Sequence, residues 1–239
     1  NEMFLDTASI RNSVVSRAKH LGYTPQSVRG AKAYVDLTIT PADTPSTIII
    51  AKDTQFASTV NGISYIFSTT GSTTVNVNAN GVYTTANVEI SQGVPLTHRY
   101  TANTDNPDQR FILPNANTDT STLTVRIQTS AENTNVYTYT IANDTTTVTS
   151  TSNVYFLEEA EDGKYEVIFG DDVIGRKPVS GNIILLSSLI ADGQDPNGAS
   201  TFNPVGSVGG YSNVSVSTLT AASGGSLRDS IDKIKFNAP

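Results

Sequence analysis

The feature that most constrains the fold is a long stretch, from Ala33 to about Thr220, in which short alternating apolar and polar runs are separated by turn-forming residues. Threonine, serine, valine, asparagine and isoleucine dominate this stretch, while glycine, asparagine, aspartate and proline interrupt it. Alternation with a period of two is typical of half-buried β-strands, and β-branched residues pack well in sheets. We therefore expect a mainly β protein.

Ten segments carry the strand pattern most clearly. They are Ala33–Thr40, Thr47–Ile50, Ser64–Ser68, Thr73–Asn78, Asn87–Ser91, Leu123–Thr129, Val136–Ile141, Val154–Leu157, Lys164–Phe169 and Asn182–Ile190. Asn61 and Gly62 both tolerate positive φ, so they predict a tight hairpin turn. Alternation places Tyr165, Val167 and Phe169 on one face of their strand.

The N-terminal segment has a helical rather than a strand pattern. Residues 6 to 21 predict a helix that Asp6 or Thr7 can cap and that Gly22 can end. Its apolar face consists of Ile10, Val14, Ala18 and Leu21. We expect this face to pack against a partner or against its own domain, and the sequence leaves both open.

The C-terminal segment predicts a second helix after the chain break at Gly224 and Gly225. Ser226 and Asp229 have the S-x-x-D spacing of a helix start, and Asp229 precedes Lys233 by four residues, the favourable order for an exposed ion pair. Leu227, Ile231 and Ile234 form its apolar stripe, and Pro239 would end it. Together with Phe236, these stripe residues are candidate interface positions.

These patterns predict an α+β fold that is mainly β, with multi-stranded β domains and an N-terminal and a C-terminal helix. Polar turn clusters near residues 103–107 and 115–121 suggest borders of an inserted or second β domain. We predict five segments in all. They are a helical segment 1–32, a first β part 33–90, an inserted or second β domain 91–153, a second β part 154–222 and a C-terminal helix 223–239, beyond which the chain is expected to continue.

Composition excludes several functional classes. The 239 residues include no cysteine and only two histidines, His20 and His98, which rules out disulfides and thiol catalysis. The net charge of −7 and the scattered basic residues argue against a nucleic-acid surface. No apolar run approaches the roughly 20 residues that span a bilayer, so we expect no membrane insertion.

Short motifs that could carry chemistry have simpler structural explanations. Gly170, Asp171 and Asp172 match the metal-binding string of polymerases, but they also suit a turn after a strand. The acidic residues Glu158, Glu159, Glu161 and Asp162 could bind calcium weakly, although solvated turns explain them better. No serine lies in a nucleophile elbow. We therefore predict a protein that is not an enzyme, without metal, cofactor or small-molecule substrate.

The glycine pair Gly224-Gly225 is followed by Ser230-Ile231, Ile234 and Phe236-Asn237-Ala238-Pro239. The chain also contains the stretches Phe4–Ala8 with Leu21–Pro25, Ile50–Phe56, Val60–Thr69, and Tyr165–Asp172 with Ile174-Gly175, Pro178, Gly181-Asn182 and Asn197-Gly198-Ala199. Together these segments resemble the baseplate J-like family of contractile phage tails, particularly the T4-like baseplate wedge subunits. Asp172 departs from the family pattern, in which many relatives have glycine.

This resemblance implies a structural subunit of the virion, located in the tail baseplate and assembled in the host bacterial cytoplasm. Such wedge subunits associate with a second copy of themselves and with other wedge proteins, link neighbouring wedges into a ring around the hub, and transmit the contraction trigger. A different class stays open, namely a β-rich adhesin or receptor-binding domain of a tail or cell surface, for which the threonine, serine and asparagine content is equally natural.

Overall fold

The computed structural model describes residues 2–78, 80–106, 108–142 and 145–238. In this part of the chain the protein is mainly β with a helix near each end, which confirms the predicted fold class. Helix α1 spans Arg11–His20 and helix α2 spans Ile231–Asn237. Both helices begin later than predicted.

The strands occupy most of the chain between the helices. They are β1 (Lys32–Ile39), β2 (Thr47–Ile50), β3 (Gln55–Val60), β4 (Ile63–Thr69), β5 (Thr73–Asn76), β6 (Tyr83–Gln92), β7 (Val94–Thr101), β8 (Phe111–Leu113), β9 (Thr118–Gln128), β10 (Val136–Ile141), β11 (Val154–Glu159), β12 (Tyr165–Phe169), β13 (Ile183–Ile190), β14 (Asn203–Pro204) and β15 (Val214–Ser223). All ten predicted strands are present, with ends that differ by a few residues.

Contacts divide the chain into two compact units. The helical unit contains the residues up to Ser27, Leu96–Ser188 and the residues from Arg228 onward, and the strand unit contains Val28–Pro95 and Leu189–Leu227. Each unit therefore combines segments that are far apart in the sequence. The five segments expected from the sequence stay predictions.

The strand unit is built on a six-stranded antiparallel sheet. Its strand order is β14-β3-β4-β6-β1-β15, and β2 pairs separately with β5. In β1 every second residue is buried, as the alternation predicts. The core contains Phe56, Phe67 and Phe202, and the last two rings meet edge to face with centroids 4.9 Å apart.

The predicted hairpin lies between β3 and β4. Asn61 and Gly62 have φ of 50° and 81°, and Val60 pairs with Ile63 across them. Two consecutive residues with positive φ give the backbone twist that a two-residue hairpin loop requires. The hairpin prediction is thus confirmed.

The helical unit contains most residues of a seven-stranded sheet with the order β7-β13-β9-β10-β11-β12-β8. Its core includes Leu113, Val125, Tyr165 and Leu186. Tyr165 and Val167 are buried and Phe169 is partly buried, in agreement with the face predicted for β12. None of the described helices has the length and apolar character needed to cross a bilayer.

Candidate assembly interface

The two helices pack against each other and form a small core of their own. Its buried members are Ala8, Val14, Val15, Ala18, Ile234 and Ala238. Tyr23 and Ile231 pack against this core from its edge. The two ends of the chain are therefore held together as one helix pair, which we define as α1, α2 and the residues that pack directly on them.

The Glu2 carboxylate binds the backbone just before helix α1, which begins at Arg11. The Glu2 carboxylate accepts the backbone N–H of Ser9 at 3.0 Å and of Ile10 at 3.2 Å, as well as the Ser9 hydroxyl at 2.8 Å. These hydrogen bonds lower the pKa of Glu2 to about 2. The prediction that Asp6 or Thr7 caps the helix is wrong, because residues 6 and 7 lie in the turn before it.

The end of α1 follows the predicted geometry. Gly22 has a φ of 79°, and its N–H donates to the Lys19 carbonyl at 2.9 Å. The Tyr23 N–H donates to the Ala18 carbonyl at 3.0 Å. Glycine adopts this left-handed conformation without the steric penalty that a Cβ atom would bring, so it stops the helix.

Helix α2 begins at Ile231, and Ser230 rather than Ser226 caps it. The Ser230 Oγ accepts the Lys233 N–H at 3.2 Å. The predicted S-x-x-D start is wrong because Ser226 forms a bridge with Arg29 in the strand unit, while Asp229 has other partners. Pro239, predicted to end this helix, lies outside the described residues.

Asp229 ties the beginning of α2 to the segment after α1. Its Oδ2 accepts the Tyr23 hydroxyl at 2.7 Å and the Gln26 N–H at 2.9 Å. Its Oδ1 lies 2.7 Å from the Lys233 ammonium, so the predicted pair forms, but the Asp229 side chain is only 1% exposed and the pair is not the exposed one that the spacing predicts. Burial alone would raise the pKa of Asp229, but Lys233, Tyr23 and Gln26 together outweigh burial and lower it.

A buried ion pair fastens α1 to the sheet. The Arg11 guanidinium contacts both carboxylate oxygens of Glu159, at 2.7 and 2.9 Å, and donates to the Asp229 carbonyl at 2.6 Å. The Glu159 side chain is only 1% exposed. The Lys19 ammonium pairs with Glu158 at a half-exposed position nearby. The sequence singled out neither Arg11 nor Lys19, because pairing across the fold leaves no local pattern.

The acidic cluster at the end of β11 thus has two members in ion pairs. Glu159 pairs with Arg11, and Glu158 pairs with Lys19. In residues 2–78, 80–106, 108–142 and 145–238, no three histidine, aspartate or glutamate side chains are grouped so that they could hold a metal ion.

The structure separates the predicted interface residues into two groups. Val14, Ala18 and Ile234 are fully buried inside the helix pair, and Ile231 is partly buried. Ile10, Leu21 and Phe236 are exposed by 58%, 58% and 86%, and Phe4 on the same unit is exposed by 61%. Leu227, also predicted, is exposed on the strand unit. The inner side of each predicted stripe thus forms the helix pair, while its ends remain available to a partner.

A groove of about 400 Å³ runs beside α1. Val15, Pro25, Ile141 and Phe156 line it, together with the Lys19–Glu158 pair. Gly22, which follows the exposed Leu21, also lines the groove. The groove therefore combines apolar and charged side chains.

The remaining motif residues have structural roles. A Cβ at Gly170 would lie 2.2 Å from the Gly175 carbonyl oxygen, so these two backbones touch only because residue 170 is glycine. The Asp171 Oδ1 accepts the N–H groups of Val173 and Ile174, which lowers the pKa of Asp171. Asp172 has a φ of 69°, a value that glycine adopts more readily. The Gly-Asp-Asp string is thus a turn stabilised by its own side chain.

Gly224 and Gly225 end β15 in the strand unit. Gly224 has a φ of 81°. The Asn197 carboxamide accepts the Gly225 N–H and donates to the Gly225 carbonyl, both at 2.9 Å. A Cβ at Gly225 would lie 2.3 Å from the Gly193 carbonyl oxygen. This pair is therefore a fixed bend and not only a break before a helix.

No family model matches the chain, and a search of curated proteins finds no match.

Proposed function

We propose that this chain is a structural subunit of a contractile-tail baseplate wedge. The proposal combines the resemblance of several segments to the baseplate J-like family with one structural observation. Large apolar side chains, among them Phe236, Leu21 and Ile10, project from a helix pair that a buried ion pair and buried hydrogen bonds hold in place. Burial of these side chains against a partner would be favourable, because it removes apolar area from water.

In this proposal the helix pair contacts a second copy of the chain or another wedge subunit. The β units would serve as rigid bodies that link neighbouring wedges into a ring around the hub and transmit the contraction trigger. The chain would work in the virion tail baseplate after assembly in the host bacterial cytoplasm. It would act through binding, not as an enzyme.

Sedimentation velocity over a range of concentrations tests the role of the helix pair. We expect the unmodified chain to associate, and we expect Leu21→Ser combined with Phe236→Ser to shift the equilibrium toward monomer by tenfold or more, because both changes remove apolar contact area. The control is Leu219→Ser on β15, since Leu219 is exposed by 57% and Leu21 by 58%. A chain that stays monomeric at all concentrations contradicts the contact with a second copy, and equal loss of association in the control contradicts the role of the helix pair.

A further inference from the structure

The helical unit contains a second concave site, away from the two helices. A cavity of about 270 Å³ lies where the edge strand β8 meets the loops before it and after β12. Its lining includes Phe111, Phe169, Asn103, Glu166 and Lys177. The cavity is smaller than the roughly 300–1,000 Å³ of sites for drug-sized ligands, so it suits a single small ring.

Two aromatic rings give the cavity an apolar wall. Phe111 and Phe169 meet edge to face with centroids 5.4 Å apart. Tyr100 supports Phe111 at 5.7 Å, and Tyr139 supports Phe169 at 5.5 Å. Both phenylalanines are only partly buried and line the cavity. The rings are thus held in fixed orientations while part of each stays accessible to a ligand.

Polar groups around this wall retain hydrogen-bonding capacity. The Asn103 Oδ1 accepts the Asp105 N–H at 3.0 Å, but the Asn103 amide NH₂ has no partner among the described residues. Within the same part of the chain, the Lys177 ammonium likewise has no hydrogen-bond partner, although its backbone N–H donates to Asp172. The Glu166 carboxylate is fixed by Arg110, with Nη2–Oε2 at 2.6 Å, and can accept further bonds.

The backbone of β12 adds further polar groups. Strand β8 begins at Phe111, which pairs with Val167, so the described chain has no partner strand for residues 168–170 on that side. These residues line the cavity. The unpaired stretch 168–170 is too short for an extended peptide to add as a strand, which favours a small ligand.

The charges near the cavity favour a neutral ligand. The charged side chains in its lining are Glu166 and Lys177, one of each sign. The lining therefore has no net charge that would attract an ion. A ligand with several hydroxyl groups could instead accept from Asn103 and Lys177 and donate to Glu166, with its apolar face on the phenylalanine rings.

We propose that this cavity binds a neutral pyranose ring. The site rests on residues that the proposed assembly function does not use, so the two proposals can fail separately. A sugar ring presents C–H groups on its faces and hydroxyls at its rim, which match the apolar wall and the polar groups described above. Phe111 and Phe169 supply the contact area, and Asn103, Glu166 and Lys177 orient the ring.

Chemical-shift titration of the full chain with methyl glycosides tests the proposal. The probes are methyl glucoside, methyl galactoside, methyl mannoside and methyl N-acetylglucosaminide, each raised to tens of millimolar. We expect at least one to give saturable shifts at residues 103, 111, 169 and 177. The isosteric variant Asn103→Asp keeps the bond to Asp105 but loses the free NH₂, so it should weaken binding about two- to tenfold.

The control is Asn115→Asp, because Asn115 makes the same kind of side-chain bond, to the Asn117 N–H, and does not line the cavity. Four results would overturn the proposal: no shift with any glycoside, shifts that map elsewhere, equal weakening in both variants, or shifts at these residues with inorganic phosphate alone. Thermal unfolding of both variants confirms that they are folded before the titration.

Discussion

Arg11 connects helix α1 with strand β11 and with the segment before helix α2. Its guanidinium holds the buried Glu159 of β11 and the carbonyl of Asp229 at the same time. A carboxylate with so little exposure to water depends on its partner for stabilisation. The position of α1 therefore depends on the Arg11 side chain as well as on the apolar core that α1 shares with α2.

We predict that Arg11→Met lowers the free energy of unfolding by about 3–5 kcal/mol, because it leaves a buried charge unpaired. Urea unfolding followed by circular dichroism measures the change. The control Lys19→Met removes the half-exposed pair with Glu158 and should cost less than about 1 kcal/mol. Adding Glu159→Leu to Arg11→Met should recover much of the loss. Equal losses in Arg11→Met and Lys19→Met would show that the buried pair has no special role.

Glu2 makes the start of α1 sensitive to acid. Its pKa is lowered from the ordinary value of 4.5 to about 2 by hydrogen bonds from Ser9 and Ile10. Since the folded pKa lies below the unfolded one, this stabilisation is complete above pH 4.5 and is lost as the pH falls toward 2. We predict a titration midpoint near pH 2 for the Glu2 side-chain carboxyl carbon by NMR.

Glu2→Gln provides the matched comparison at neutral pH, because glutamine keeps the size but not the charge. We expect the amide protons of Ser9 and Ile10 to exchange faster with solvent in this variant. A Glu2 midpoint at the ordinary value, with unchanged exchange, would mean that Glu2 does not bind the Ser9 and Ile10 N–H groups in solution.

Among the secondary-structure elements, the turn of the β3–β4 hairpin can be tested by comparing Gly62, which lies in the turn, with Gly71, which lies between β4 and β5. A Cβ at Gly62 or at Gly71 would meet no atom within 4 Å, but only Gly62 has a left-handed φ, of 81°. We predict that Gly62→Ala costs about 1–2 kcal/mol of unfolding free energy, because an L-residue is strained in this conformation. Gly71→Ala should be close to neutral. Urea unfolding distinguishes the two, and a neutral Gly62→Ala would contradict the turn geometry.

The elements also show how far the sequence could predict the fold. Alternation of Ala33, Val35, Leu37 and Ile39 was sufficient for β1, since burial follows the same period. Strand β15 was missed because serine, threonine and alanine give its alternation little contrast. The start of α2 was placed too early because Asp229 matched a capping pattern, whereas its carboxylate bonds to Tyr23 and Gln26. Local patterns predict secondary-structure elements well, but they do not reveal which distant group a side chain binds.

At the scale of the whole molecule, the site depends on pairings that no local pattern contains. Arg11 and Glu159 are 148 residues apart, and Tyr23 and Asp229 are 206 apart. The sequence predicted the apolar faces of both helices, and the structure buries Val14, Ala18 and Ile234 while it exposes Leu21 and Phe236. Periodicity identifies the apolar face of a helix, but only the packing of α1 on α2 decides which residues of that face stay exposed.

Labelling intact tailed particles that carry this chain with an antibody against it, followed by negative-stain electron microscopy, tests the proposed function most directly. The wedge proposal predicts label at the plate end of a contractile tail, in a ring around the hub. Label on fibre tips or on cell surfaces would contradict it and favour an adhesin or receptor-binding domain.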